Sequence, residues 1–139
     1  MSLFSPSRRA EISDRAEHRC EYSHFPTRGQ VATFPIDHII PKSAGAGHDP
    51  ENLALACPHC NAHKWTAVEA SDPLTGVIAP LFNPRRDKWD EHFEWLGGGE
   101  LGGRTMTGRA TIAALQMNAP AMVELRLLLS SLDLFPEAG

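Results

Sequence analysis

The sequence predicts a small α+β protein with helices at both ends. Three observations carry this expectation. A helical stretch opens the chain, with Ala10, Ile12 and Ala16 at apolar positions between Ser7 and Arg19. The middle, residues 34–64, reads as strand, loop, short strand and short helix. The last third carries two apolar stripes at helical spacing, Ala110, Ala113, Ala114 and Met117, then Met122, Leu125, Leu129 and Leu132. At 139 residues, 42% hydrophobic and 22% charged, the chain suits one globular domain with one core.

The elements follow in order. Ser7 is placed to cap the first helix, which runs to about Arg19. Residues 21–33 hold Pro26 and Gly29 among scattered polar residues and read as a loop. Phe34 to Ile40 is rich in β-branched residues and reads as a strand that Pro41 ends. Residues 42–50, with Gly45, Gly47, Asp49 and Pro50, read as a loop. Glu51 to Ala56 leads as a short strand into Cys57, and a short helix begins near Cys60 and runs through Lys64. Asp72-Pro-Leu-Thr-Gly76 is a turn signal before a strand from Val77 to Phe82. Arg85 to Glu91 reads as a helical turn, and His92 to Leu96 alternates like a strand. Gly97 to Gly99 and Gly102-Gly103 read as a flexible turn. Thr107 is placed to cap a helix through Met117, and Asn118 to cap the last helix, with Pro120 in its first turn. The C-terminal stripes read as core packing.

Charge and composition exclude some classes. No apolar run approaches membrane-spanning length, so no membrane partner is expected. The first residues lack the order of a secretory signal, and a cytoplasmic location is expected. Net charge is -4, unlike a protein that grips nucleic acid mainly by charge, so any such contact must be local. Arg8, Arg9, Arg15, Arg19, Arg85, Arg86, Lys88, Arg104 and Arg109 are candidates to meet phosphates, and each taken singly reads as a solvated surface charge.

Three cysteines, Cys20, Cys57 and Cys60, argue against a disulfide framework. Cys57-Pro-His-Cys60 is a C-x-x-C pair. A polar, ligand-rich segment surrounds it rather than a βαβ pattern, which favours a metal knuckle over a redox pair. Nearby stand Asp37-His38, Asn52 and Asn61-Ala-His63-Lys64. A carboxylate is a hard oxygen ligand suited to magnesium or manganese. An imidazole beside it is a general base poised near neutral pH. Asn61 offers a neutral oxygen ligand at the start of the short helix.

Ile36-Asp-His-Ile-Ile-Pro-Lys-Ser-Ala-Gly45, followed by Pro50-Glu-Asn-Leu-Ala-Leu-Ala-Cys-Pro-His-Cys-Asn-Ala-His-Lys64, resembles the HNH nuclease family, in order and in spacing. The resemblance covers about the first half of the chain, with a weaker echo in Pro80-Leu-Phe-Asn-Pro-Arg-Arg86 and Glu91-His-Phe93. It implies a ββα-metal, treble-clef-like core at about 18–66, a C-terminal extension from 67, and hydrolysis of phosphodiesters in DNA, double-stranded DNA being the expected partner. In that reading His38 is the general base, Asp37 and Asn61 hold one Mg2+ or Mn2+, and Asn52 braces the loop and holds His38 in position. His63 reads as an exposed residue of the helix rather than a phosphate contact. The family's paired knuckles also imply structural Zn2+, here with Cys20, Cys57 and Cys60. Ser23 stands where a fourth cysteine is expected, and a hydroxyl is a poor zinc ligand at neutral pH. Two readings stand: His24 completes a Cys3His site, or the site stays empty and apolar packing holds the region. His59 reads as exposed rather than ligating. Trp65 stands where the family often has glycine, and reads as packed on the core rather than stacked on a base. A non-catalytic treble-clef zinc module that binds nucleic acid or protein is the rival reading; it explains the cysteines and leaves Asp37-His38 and Asn52 without a purpose.

Overall fold

A computed structural model describes residues 4–28, 30, 32–41 and 47–135. Gly29, and the part of the expected second loop at 42–46 with Gly45, lie outside the described residues.

Ten residues, Pro6–Arg15, form α1. Ser5, not Ser7, caps it: its hydroxyl accepts the Arg8 N–H, and Pro6 takes the first helical position, where its fixed φ fits and no N–H is needed. The helix stops short of Arg19 because Glu17 and His18 turn left-handed, at φ 56 and 58. Two short strands follow, β1 (Ile36–His38) and β2 (Leu53–Leu55), paired antiparallel with Asp37 opposite Ala54 and His38 opposite Leu53. A 3-10 turn, Pro50–Asn52, precedes β2. Then α2 spans Pro58–Lys64, capped by Cys57. The middle of the chain is therefore a ββα unit.

The second half adds two more antiparallel pairs. β3 (Glu69–Ser71) pairs with β4 (Ile78–Pro80), and β5 (Phe93–Trp95), preceded by a turn of helix α3 (Trp89–His92), pairs with β6 (Leu101–Gly103). Two helices close the chain, α4 (Met106–Ala114) and α5 (Pro120–Ser131). The strand β3 was not expected. Neither it nor β4 buries a full face, so neither alternates clearly in sequence. Gly103 is not part of a flexible turn. It lies in β6 because α4 crosses it closely: a Cβ there would sit 2.6 Å from the Arg109 nitrogen, and one on Gly108 would sit 2.0 Å from the His92 carbonyl. Thr105 rather than Thr107 caps α4, since its hydroxyl reaches the Gly108 N–H. Asn118 does not cap α5, because its side chain is drawn to both backbone groups of Leu101 and to Arg126. Among the described residues, no helix is long and apolar enough to cross a membrane.

One apolar cluster joins the two halves, from Ile12, Phe25, Leu53 and Leu55 to Phe82, Phe93, Leu101, Met117 and Leu129. The C-terminal stripes contribute Ala110, Met117, Met122 and Leu129, whereas Ala113 and Leu132 face solvent. Several arginines are internal staples rather than solvated charges. Arg9 donates to the Phe34 carbonyl, Arg15 to Pro50 and Leu53, and Arg85 pairs with Glu21. Arg126, fully buried, donates to Gly99, Met117 and Asn118.

Arg109 grips Asp72 with two bonds of 2.9 Å, tying α4 to the turn after β3. Asp72 is fully buried, and the Arg109 hydrogen bonds hold its carboxyl well below its ordinary 3.8. A depressed carboxyl contributes stability that is complete above the unfolded value and is lost as pH falls toward the folded one. Arg109→Ala is therefore expected to lower the urea midpoint clearly at pH 7, and its gap to wild type is expected to narrow as pH drops below about 4. A gap of the same size at pH 7 and pH 3 would show that the pair carries no such linkage.

Candidate active site

The site is built on β1 and α2. Asp37 is in the middle of β1, opposite the buried Ala54. Its carboxylate is 4% exposed, accepts the Tyr22 hydroxyl at 2.7 Å through Oδ2, and pairs with Lys64 Nζ at 3.1 Å. Lys64, itself buried, also donates to the carbonyls of His38 and Ile39. Burial pushes the Asp37 carboxyl up from 3.8, and the Lys64 ammonium and Tyr22 hydroxyl oppose that rise. Burial, with the nearby Asp37 charge, pushes the Tyr22 phenol well above 10, so it stays a donor.

His38 follows at the end of β1. Its Nε2 lies 2.8 Å from Nδ1 of His48, and Phe4 packs on both rings. Asn52 closes the loop between the strands. Its Oδ1 accepts the Ile40 N–H, and its Nδ2 donates to the carbonyls of Ile40 and Gly47. The Asn52 carbonyl also accepts the Ile39 N–H at 2.9 Å. The backbone just after His38 is thus held from both sides.

Asn61 lies on the second turn of α2. Asp37, His38, Asn61 and Trp65 line one open cleft of about 310 Å³. Asn52 is not part of that lining. A larger cavity of about 430 Å³, beside Cys20 and Trp89, holds none of Asp37, His38, Asn52 and Asn61. The residues lining the cleft include a carboxylate, an amide and an imidazole side chain. In kind they fit a hard divalent cation, provided the Asp37 carboxylate shares itself with Lys64.

Three thiols gather beside this unit. The sulfurs of Cys20, Cys57 and Cys60 all lie within 4.8 Å of one another, and all three residues are buried. A tetrahedral zinc site with Zn–S of roughly 2.3 Å places its sulfurs about 3.8 Å apart, so the cluster needs only a small contraction. Ser23 sits at the cluster. Its N–H donates to Cys20 Sγ at 3.3 Å, and its hydroxyl lies 3.6 Å from Cys57 Sγ. Hydrogen bonds from the Cys20 and Cys60 thiols pull Cys57 down to about 3, while burial, reinforced by Cys57, pushes Cys20 up to about 11. The three thiols thus concentrate charge on Cys57.

His24 is not brought into this cluster. Its ring stacks on Trp89 at 4.1 Å, its backbone is left-handed at φ 64, and burial pushes its imidazole down to about 4. The stack and the backbone hold the ring away from the sulfurs. His59 is half-buried rather than simply exposed, since its Nε2 reaches the carbonyls of Leu115 and Gln116 at the end of α4. His63 is exposed, with Nδ1 at 2.8 Å from the His59 carbonyl. Trp65 does not pack on the core: it is 78% exposed.

Comparison with known families gives one likeness for this unit. Residues 19–66 match the HNH endonuclease family model. Comparison with curated proteins and with solved structures returns no match. The matched segment spans Cys20, β1, β2 and α2, so the match and the ββα geometry cover the same residues. It supports nuclease-type chemistry on nucleic acid for this segment. Tyr22, His48 and the exposure of Trp65 escaped the sequence reading. Tyr22 and His48 stand outside the motif positions, and only their pairing with Asp37 and His38 in the fold reveals them.

Asn52→Ala would leave the Ile40 N–H and two carbonyls without their side-chain partner. The expected cost is about 1–3 kcal/mol by urea unfolding, with faster amide exchange at Ile40. Unchanged exchange at Ile40 would show that Asn52 does not brace the loop.

Proposed function

We propose that this protein is a metal-dependent endonuclease that hydrolyses phosphodiester bonds in DNA. The observation that carries the reading is the convergence of Asp37, His38 and Asn61 on one cleft. The HNH match over residues 19–66 supports it.

In this reading His38 is the general base. It takes a proton from a water molecule as that water attacks the phosphorus, and the O3′ leaves on the opposite side. Asp37 and Asn61 would hold one Mg2+ or Mn2+, which supplies positive charge to the phosphorane-like transition state and the departing oxygen. Asn52 holds the backbone after His38, and Lys64 grips the His38 carbonyl from beneath. His48 is a positioning residue: its hydrogen bond to Nε2 and the Phe4 contact limit rotation of the base. Cys20, Cys57 and Cys60 would hold a structural Zn2+, with a water at the fourth corner and His24 outside it.

A non-catalytic treble-clef module is the second reading. One observation favours it: Asp37 already serves as the buried partner of Lys64 and Tyr22, a structural use of the carboxylate.

Supercoiled plasmid separates the two. Wild type is expected to nick it in Mg2+ or Mn2+, and His38→Ala to lose about 10²–10⁴-fold in rate. His48→Ala is expected to lower kcat by up to about 10²-fold with little change in KM, and His48→Asn to keep more of the rate. If wild type and His38→Ala are equally inert across metals and substrates, the enzyme reading fails. Elemental analysis addresses the thiols: about one zinc per chain, kept in His24→Ala and lost in Cys60→Ala. Zinc lost from His24→Ala would return the imidazole to the ligand set.

A further inference from the structure

Trp65 stands at the C-terminal cap of α2 with φ 46 and ψ -110. Side chains rarely adopt a positive φ there, and glycine is the usual solution at a helix end. The backbone on both sides is fixed: Trp65 N–H bonds the Asn61 carbonyl at 2.9 Å, and Ala67 N–H bonds the Lys64 carbonyl at 2.8 Å. The indole is nonetheless 78% exposed, the most exposed of the large apolar side chains among the described residues. It has no ring partner among the described residues. Trp89 and Trp95, by contrast, are half-buried and packed on each other at 4.8 Å. Folding therefore gains little from Trp65, and a strained backbone holds it in water.

Its place is specific. It lines the same cleft as Asp37, His38 and Asn61, and Asn61 is one helical turn before it. Among the described residues, that cleft has no lysine or arginine in its lining, and the chain carries a net charge of -4. From those described residues, charge neutralisation supplies little affinity for DNA. Stacking of a base on an aromatic ring needs no charge and tolerates any sequence.

We infer that Trp65 is a stacking platform for an unpaired DNA base next to the phosphate whose attack His38 would assist. Bases inside a duplex have both faces covered, so a base that stacks on Trp65 must be single-stranded, frayed or flipped out. The substrate of this site is then DNA that is unpaired at the cut. This inference rests on the nuclease reading for its phosphate, but its test does not require cleavage.

The test is tryptophan fluorescence in EDTA with a mixed-sequence DNA oligonucleotide of about twelve nucleotides, a length within single-strand site sizes. Single-stranded oligonucleotide is expected to quench emission saturably, and the blunt duplex of the same sequence to bind more weakly. Trp65→Ala is expected to weaken single-strand binding on the order of tenfold, and Trp65→Phe less. The quench is expected to vanish in Trp65→Phe, where only Trp89 and Trp95 emit. Equal affinity of Trp65→Ala and wild type, quenching that survives in Trp65→Phe, or duplex binding as tight as single-strand binding would each overturn the inference. Tighter binding of the matching RNA would overturn its assignment to DNA. Plasmid nicking that persists with Trp65→Ala binding unchanged removes this inference and leaves the nuclease reading standing. Trp65-dependent binding without any nicking does the reverse.

Discussion

The structure hangs on one buried carboxylate. Asp37 accepts a hydrogen bond from Tyr22, before β1, and an ion pair from Lys64, at the end of α2. Three separate stretches of chain therefore meet on it. Burying a charge is costly unless it is paired and hydrogen-bonded, and removing one member of such a set leaves the others uncompensated. Lys64 also donates to the carbonyls of His38 and Ile39, so the same set fixes the strand end that carries the candidate base. The residue that organises the fold also belongs to the lining of the cleft.

The seven-residue helix α2 serves two sites with two faces. Cys57, Cys60 and Lys64 are buried, on the face turned toward the thiol cluster and the Asp37 pair. Asn61 and Trp65, four residues apart and hence on one stripe, line the cleft. A cation bound by the three thiols would anchor the start of α2 to the chain around Cys20. The orientation of Asn61 toward β1 would then follow from the anchoring of Cys60 beside it. The proposed structural and catalytic roles would then be coupled through one turn of helix, although no side chain of the thiol cluster lines the cleft.

Much of this site was legible in the sequence because its chemistry is local. Asp37 and His38 are adjacent, and Asn52, Cys57, Cys60 and Asn61 follow within one ββα unit, so residue type and spacing already single them out as candidates. The strands of that unit were expected too, though longer than they form. What sequence could not show depends on partners far along the chain. Asn118 looks like a helix cap, but Leu101 and Arg126 claim its side chain. Gly103 looks flexible, but α4 lies against it. His24 sits beside the expected knuckle, yet Trp89 draws its ring away. Trp65 looked like core from its size alone, and its exposure follows from the backbone turn that ends α2.

The most direct test of this account is metal binding at the cleft. Titration with Mn2+, followed by the EPR signal of the free ion, is to be done on wild type, Asn61→Ala and Asp37→Asn, each shown by circular dichroism to be folded. The account predicts a Mn2+ site in wild type that each substitution weakens by about tenfold or more. Wild type that binds no Mn2+ in the cleft, or variants that bind it as tightly as wild type, would contradict it.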